Sequence, residues 1–220
     1  AVINGVLCSR KAETIVRENF GDEALFIPYA DPGYTLFKKL EKEISGYRDI
    51  KNRDPHIIFI ENHGIFVGAD TTIEIRRIYE EIINIFSALY KPVPEEGEFG
   101  FNPLLAEVLP AIRMLLSRDS LKILRWRNNA LIDSFSKSQA QFQKISHALT
   151  PDIIVYCKHR YIYIDHSTSA ARILESFRTQ LERFTAEYGF LPRVIVIKDM
   201  GIIASGENYR SAEQILDVYE

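Results

Sequence analysis

Cysteine is nearly absent: Cys8 and Cys157 are the only two in 220 residues. Two thiols without CxxC spacing exclude a disulfide framework, and such sparing use leads us to expect a reducing, cytoplasmic setting. Positive charge is not in excess either. Lys and Arg total 27 against 30 Asp and Glu, a net charge of −3, which argues against nucleic acid as a partner. No apolar run approaches the ~20 residues of a membrane span, and no signal peptide precedes the first helix, so no membrane partner is expected. The motifs that sequence reveals most readily are missing too: no GxGxxG after a strand, no P-loop, no GxSxG and no HExxH. The histidines, His56, His63, His147, His159 and His166, include no His-x-His and no pair at i, i+4 spacing. No local pair of metal ligands is therefore visible.

What is present is a globular composition, 46% hydrophobic and 26% charged, enough for one large domain or two small ones. Apolar spacing predicts a helix from Val2 to Phe20, ended by Gly21, and a strand over Ala24–Tyr29 closed by Asp31-Pro32-Gly33. A second helix carries Leu36, Phe37, Leu40 and Ile44 and stops at Gly46. A polar loop over Asp49–Asp54 follows. Ile57–Ile60 and Ile65–Val67 flank Glu61-Asn62-His63-Gly64 as a hairpin, and Asp70 or Thr71 caps a long helix through Leu89. Residues 91–103, rich in Pro, Gly and Glu, read as a linker or surface excursion. Beyond it the pattern predicts a helix over Leu104–Leu116, kinked or restarted at Pro110. A strand within Asp119–Leu124 and a helix over Asn129–Leu149 come next. Ile153–Tyr156 and Tyr161–Ile164 then read as a hairpin, and Ala170–Tyr188 as an amphipathic helix. The expected fold is α/β, mainly antiparallel sheet flanked by helices. Its divisions are residues 1–95, a helical connection over 96–150, and a related extension over 151–220.

That extension repeats the middle of the chain. Pro55 through Phe66 matches Pro192 through Ile203 at a constant offset of 137, with Pro and turn Gly in step. One extra residue is expected before Gly206, taken as the counterpart of Gly68. The following helices share Ile78-Tyr79-Glu80 and Val218-Tyr219-Glu220. The two turns differ in one telling place: His63 in the first copy is Met200 in the second. By itself His63 suits a turn as well as a ligand role. Tyr34 is expected to pack at the base of its helix, and Trp126 in a core between the solvated Arg125 and Arg127. Cys157-Lys158-His159-Arg160 reads as a solvated basic hairpin turn, with anion binding as the rival reading.

Phe26-Ile27-Pro28-Tyr29-Ala30-Asp31-Pro32-Gly33-Tyr34 and Ile60-Glu61-Asn62-His63-Gly64-Ile65-Phe66-Val67-Gly68-Ala69-Asp70 resemble the class II aldolase/adducin family, and the order of elements over about residues 1–90 agrees. The later part resembles the extension of bifunctional rhamnulose-1-phosphate aldolase/dehydrogenase-type members. The resemblance implies a divalent metal, usually zinc, held by three histidines with a glutamate as base. In that arrangement the metal polarises a ketose-phosphate carbonyl as a Lewis acid, and the glutamate handles the proton. Carried over residue by residue, it gives one metal ligand, His63, and no catalytic residue. The family's His-x-His, its glutamate and its phosphate-binding loops belong upstream of Ala1, so these residues are expected to be an inactive part of the site. The implied substrate is a sugar phosphate, with retro-aldol cleavage of a deoxyketose 1-phosphate to dihydroxyacetone phosphate and lactaldehyde. A homo-oligomer is the implied assembly. The same family also admits an epimerase, a dehydratase or a non-catalytic adducin-like assembly module.

Overall fold

The computed structural model describes residues 2–90, 100–166 and 168–220, which form two compact units. Residues 91–99, most of the Pro- and Gly-rich stretch read as a linker, lie outside the described residues. The fold is mixed α/β, with two small sheets flanked by helices.

In the first unit, α1 (Val2–Leu7) and α2 (Ala12–Phe20) replace the single helix expected, since the chain turns at Cys8–Lys11. The strands β1 (Ala24–Ile27), β2 (Ile57–Ile60) and β3 (Gly64–Val67) form a sheet in that order. β1 and β2 run parallel while β2 and β3 form an antiparallel hairpin, so the sheet is mixed rather than mainly antiparallel. The crossover is α3 (Tyr34–Lys51), which continues past Gly46 and into the first residues of the predicted loop. Tertiary anchors outweigh the cost of a glycine in its interior: buried Tyr47 donates its hydroxyl to the Asp22 carbonyl, and Lys51 pairs with the Asp22 carboxylate at 2.7 Å. The helix ends instead at Asn52, left-handed at φ 54°, a conformation asparagine tolerates. Helix α4 (Thr72–Ser87) starts where Thr71 accepts a hydrogen bond from the Glu74 N–H. One face of the sheet is closed by the rings of Phe20, Phe59 and Phe86 with Leu7, Val16 and Ile82. The other face is thinner, with Ile27, Leu36, Ile58 and Ile60 buried.

The second unit opens with α5 (Pro103–Leu116), which runs unbroken past Pro110. Next come β4 (Ile123–Arg127), α6 (Ala130–Ser136) and α7 (Gln139–Phe142). The predicted helix over Asn129–Leu149 is thus interrupted, because Ser138 caps a new start by accepting from Gln141 N–H. Ile153–Tyr156 is not a strand. It belongs to α8 (Pro151–Cys157), where Pro151 takes the first helical position, the place proline suits best. Its four apolar residues are too few for periodicity to distinguish helix from strand. β5 (Ile162–Ile164) therefore has no hairpin partner there and pairs in parallel with β6 (Val194–Ile197) across α9 (Ala170–Tyr188). β7 (Gly201–Gly206) and α10 (Tyr209–Tyr219) complete the unit. The sheet order is β4-β7-β6-β5, again with one parallel pairing. Both faces are well filled, one of them by α5 and α9 together.

The internal repeat extends further than the sequence match. β1-α3-β2-β3-α4 and β5-α9-β6-β7-α10 follow the same order at the same offset of 137. Glu61 N–H donates to Ile27 O as Lys198 N–H donates to Ile164 O, and His63 to Ile60 as Met200 to Ile197. Asn62 and Asp199 both hold positive φ, at 54° and 56°. Gly68 N–H bonds His56 O, and Ser205 N–H bonds Arg193 O, so Ser205 and not Gly206 answers Gly68, and there is no extra residue. The helix caps Thr71 and Asn208 keep the same offset. It follows that the Ile-Tyr-Glu and Val-Tyr-Glu tripeptides are out of register with each other.

The copies differ at one equivalent glycine. A Cβ on Gly201 (φ 99°) would sit 2.4 Å from the Arg127 carbonyl, whereas at Gly64 the nearest atom is the Asn4 side-chain oxygen at 3.8 Å. Both substitutions strain the backbone, but only one overlaps a neighbouring strand. Gly201→Ala should therefore destabilise the chain by about 2 kcal/mol more than Gly64→Ala, read by calorimetric unfolding. Equal losses would contradict the close approach of β4.

Candidate functional site at the Asn-His-Gly turn

The parallel pairing of β1 with β2 brings the two family-like blocks to one end of the first sheet. β1 runs out at Ile27 beside the start of the β2–β3 turn, and the segment Pro28-Tyr29 is pinned there. Tyr29 N–H donates to the Glu61 carboxylate at 2.8 Å, and Lys39 from α3 donates to the Pro28 carbonyl at 2.8 Å. The Tyr29 hydroxyl donates to Asp31 at 3.1 Å, which pushes its pKa upward. The backbone bonds of residues 61–63 then fix the turn: Glu61 to β1, Asn62 to the Leu7 carbonyl at the end of α1, and His63 to Ile60. The Asn62 side chain donates to the Leu149 carbonyl at 3.1 Å, residues 149–151 clustering with the first unit. Three of the four turn residues are thus committed through their backbones, and Asn62 through its side chain as well. The His63 imidazole projects from this fixed frame and is half-buried.

Around the turn, Cys8 is half-buried, and burial followed by the Glu61 charge raises its pKa. Protonated thiol is a poor nucleophile and a poor metal ligand. Among the described residues no three of His, Cys, Asp and Glu come together as a metal site. The residues in hand therefore do not fit a complete metal centre, for which three protein ligands are usual. The involvement of Tyr29 and Lys39 is not visible in the sequence by spacing. Only the juxtaposition of β1 and β2 reveals it.

The counterpart turn in the second unit is closed. Met200 is 1% exposed, and Trp126 donates its indole N–H to the Met200 carbonyl at 2.6 Å. Trp126 packs in the core as expected. Its neighbours are partly exposed but paired: Arg127 pairs with Glu213, Asp217 and Glu220, and Arg125 pairs with Glu213 and lies over the Tyr209 ring. Cys157-Lys158-His159-Arg160 is a helix end rather than a hairpin turn. The Cys157 thiol is buried, donates to the Ile215 carbonyl and has its pKa pushed up to about 12 by desolvation. His159 packs against Tyr188 and Phe190. In the first unit Tyr34 does not pack at the base of its helix but is 74% exposed, because Gly33 at φ 104° turns the chain outward just before it. His56 is held by its Nδ1 contact with the Gly68 carbonyl at 3.0 Å.

No known family profile matches the chain, and no solved structure matches it. A curated protein of Bacillus subtilis (strain 168) that carries the name "Uncharacterized oxidoreductase YuxG" is 25% identical over 94% of this chain. The match takes in 34% of that protein, so the chain spans about a third of its relative's length. No described helix is long and apolar enough to cross a membrane.

The thiols give a direct check on this electrostatic picture. A thiol of pKa near 12 is ionised to roughly one part in ten thousand at pH 8, against about a quarter for a free cysteine. Ellman's reagent at pH 8 should therefore modify Cys157 at least about 100-fold more slowly than free cysteine, with full reactivity returning in urea. Rapid labelling of Cys157 in the folded chain would show that its surroundings are not as dry as described.

Proposed function

We propose that the first unit is part of a metal-dependent sugar-phosphate aldolase whose activity belongs to a longer polypeptide. Its reaction would be the retro-aldol cleavage of a deoxyketose 1-phosphate to dihydroxyacetone phosphate and lactaldehyde. One observation carries the reading. The same hairpin turn occurs twice with matching hydrogen bonds and matching positive φ at Asn62 and Asp199, and only the copy resembling the class II aldolase/adducin family carries a half-buried imidazole, His63, on a frame held by Glu61, Asn62 and Tyr29. The second copy carries a buried methionine. Divergence of this kind is expected when one of two duplicated units keeps a chemical role and the other serves packing. A zinc or other divalent ion bound there would supply electrophilic polarisation of the substrate carbonyl, and His63 is this chain's contribution to holding it.

The name carried by the relative is compatible with this reading. An oxidoreductase about three times as long has room for both an aldolase-like part and a redox part, the arrangement that the bifunctional resemblance implies. A non-catalytic assembly role is the second reading, favoured by Phe37 and Phe66, which are 57% and 54% exposed on the first unit.

The test is a zinc titration followed by isothermal calorimetry. The 220-residue chain should bind Zn²⁺ weakly at this turn, with a Kd above about 10 µM, because the turn holds a single imidazole. The polypeptide extended by its own upstream residues should bind one Zn²⁺ at least 100-fold more tightly, and His63→Ala should abolish that gain along with aldol cleavage. An extended polypeptide that binds no metal sinks the aldolase assignment and leaves the assembly role.

A further inference from the structure

The second sheet has four strands and the first has three, although the shared part of the two is in register throughout. The additional strand is β4, which lies antiparallel on the outer edge of β7 with Arg127 opposite Ile202, Trp126 opposite Ile203 and Arg125 opposite Ala204. At the offset of 137 those three β7 residues correspond to Ile65, Phe66 and Val67 of β3. Among the described residues, the outer edge of β3 pairs with nothing.

The hydrogen-bond phase of the two edges is the same. Gly68 N–H reaches His56 across the hairpin, so alternation turns Gly64, Phe66 and Gly68 toward β2 and leaves the N–H and C=O of Ile65 and Val67 pointing outward. In the second unit the outward pair is Ile202 and Ala204, and those groups are satisfied by β4. An open edge of this kind is a template for a further strand. The side chains show the same vacancy. Ile203 is fully buried, whereas its counterpart Phe66 is 54% exposed. Leu174 packs on the second core, while its counterpart Phe37 is 57% exposed.

We infer that the outer edge of β3 seats an antiparallel β-strand carried by the polypeptide that leads into α1, with an apolar residue opposite Phe66 and a carboxylate facing Arg76. The connection follows from the second unit. There β4 is joined by Asn128 and Asn129 alone to α6, and α6 packs on β7 as α1 packs on β3. A strand lying on β3 with the same connection would therefore run directly into α1. The charge follows from the facing helix. β4 presents Arg125 and Arg127 to the acidic Glu213 and Asp217 of α10. On α4 the position of Glu213 is occupied by the exposed Arg76, so the first of those contacts is reversed in sign. A second copy of the whole chain is a poorer occupant, because its own β3 would bring a second Phe66 and has no carboxylate within Gly64–Val67.

Amide hydrogen exchange followed residue by residue reads the inference directly. In the 220-residue chain the Ile65 and Val67 amides should exchange fast while Phe66, bonded to β2, is protected. In the polypeptide extended by its own upstream residues, Ile65 and Val67 should slow by at least about 100-fold. Arg76→Glu in that extended polypeptide should speed both again by about tenfold without affecting Phe66. Ile65 and Val67 equally fast in both forms would overturn the inference. So would protection already present in the 220-residue chain that rises with its concentration, since that would make a second copy the occupant. An unresponsive Arg76→Glu would remove the assigned charge. The inference stands on sheet register and not on metal chemistry: protected amides in an extended polypeptide that binds no zinc would end the aldolase reading and leave the strand in place.

Discussion

The hydrogen bonds that tie the β2–β3 turn to the end of β1, and the β6–β7 turn to the end of β5, hold each unit's geometry. A parallel pair of strands cannot be joined by a tight turn. It needs a crossover, here α3 or α9, whose cost in chain entropy is recovered only when the strands meet and the helix buries an apolar face. Once Glu61 N–H reaches Ile27 O, or Lys198 N–H reaches Ile164 O, the register of the hairpin follows and the turn residues take fixed places. A slip of one residue would send every side chain of the strand to the opposite face. The near-identical φ of Asn62 and Asp199 shows the same constraint acting on two different sequences.

What the turns are used for depends on the neighbouring strand. In the second unit β4 crosses the turn, its carbonyl approaching Gly201 and its indole capping Met200, so the site is dry and packed. The arginines of β4 pair with the acidic face of α10. In the first unit the corresponding place is open, and His63 stands at its margin. The difference between a packing element and a candidate ligand is therefore a difference in what lies beside an otherwise shared scaffold.

Much of the scaffold could be read from residue patterns. The Pro-flanked apolar runs at residues 55–67 and 192–203 are legible because both strand and turn chemistry are local: near-continuous β-branched runs, a residue tolerant of positive φ, and glycine two places later. The offset between them was correct. Its continuation was misread at Gly206, since glycine identity was matched where hydrogen-bond position was what the fold conserved. Ile153–Tyr156 is helical although its pattern suggests a strand, because four apolar residues satisfy either period and Pro151 suits a helix start as well as a strand opening. Gly46 reads locally as a helix stop, yet Tyr47 and Lys51 tie the following turn of α3 to Asp22. Neither anchor is visible without the fold.

The sequence by itself determined the α/β class, the paired hairpins and the contrast between His63 and Met200, because each depends on neighbours within a few residues. Tertiary structure decided the mixed sheet directions, the full burial of Met200 against the half-burial of His63, and the open edge of β3. These rest on which strands meet across the intervening α3 and α9. That contact is selected by burial and backbone pairing between residues distant in the chain, and no local pattern encodes it.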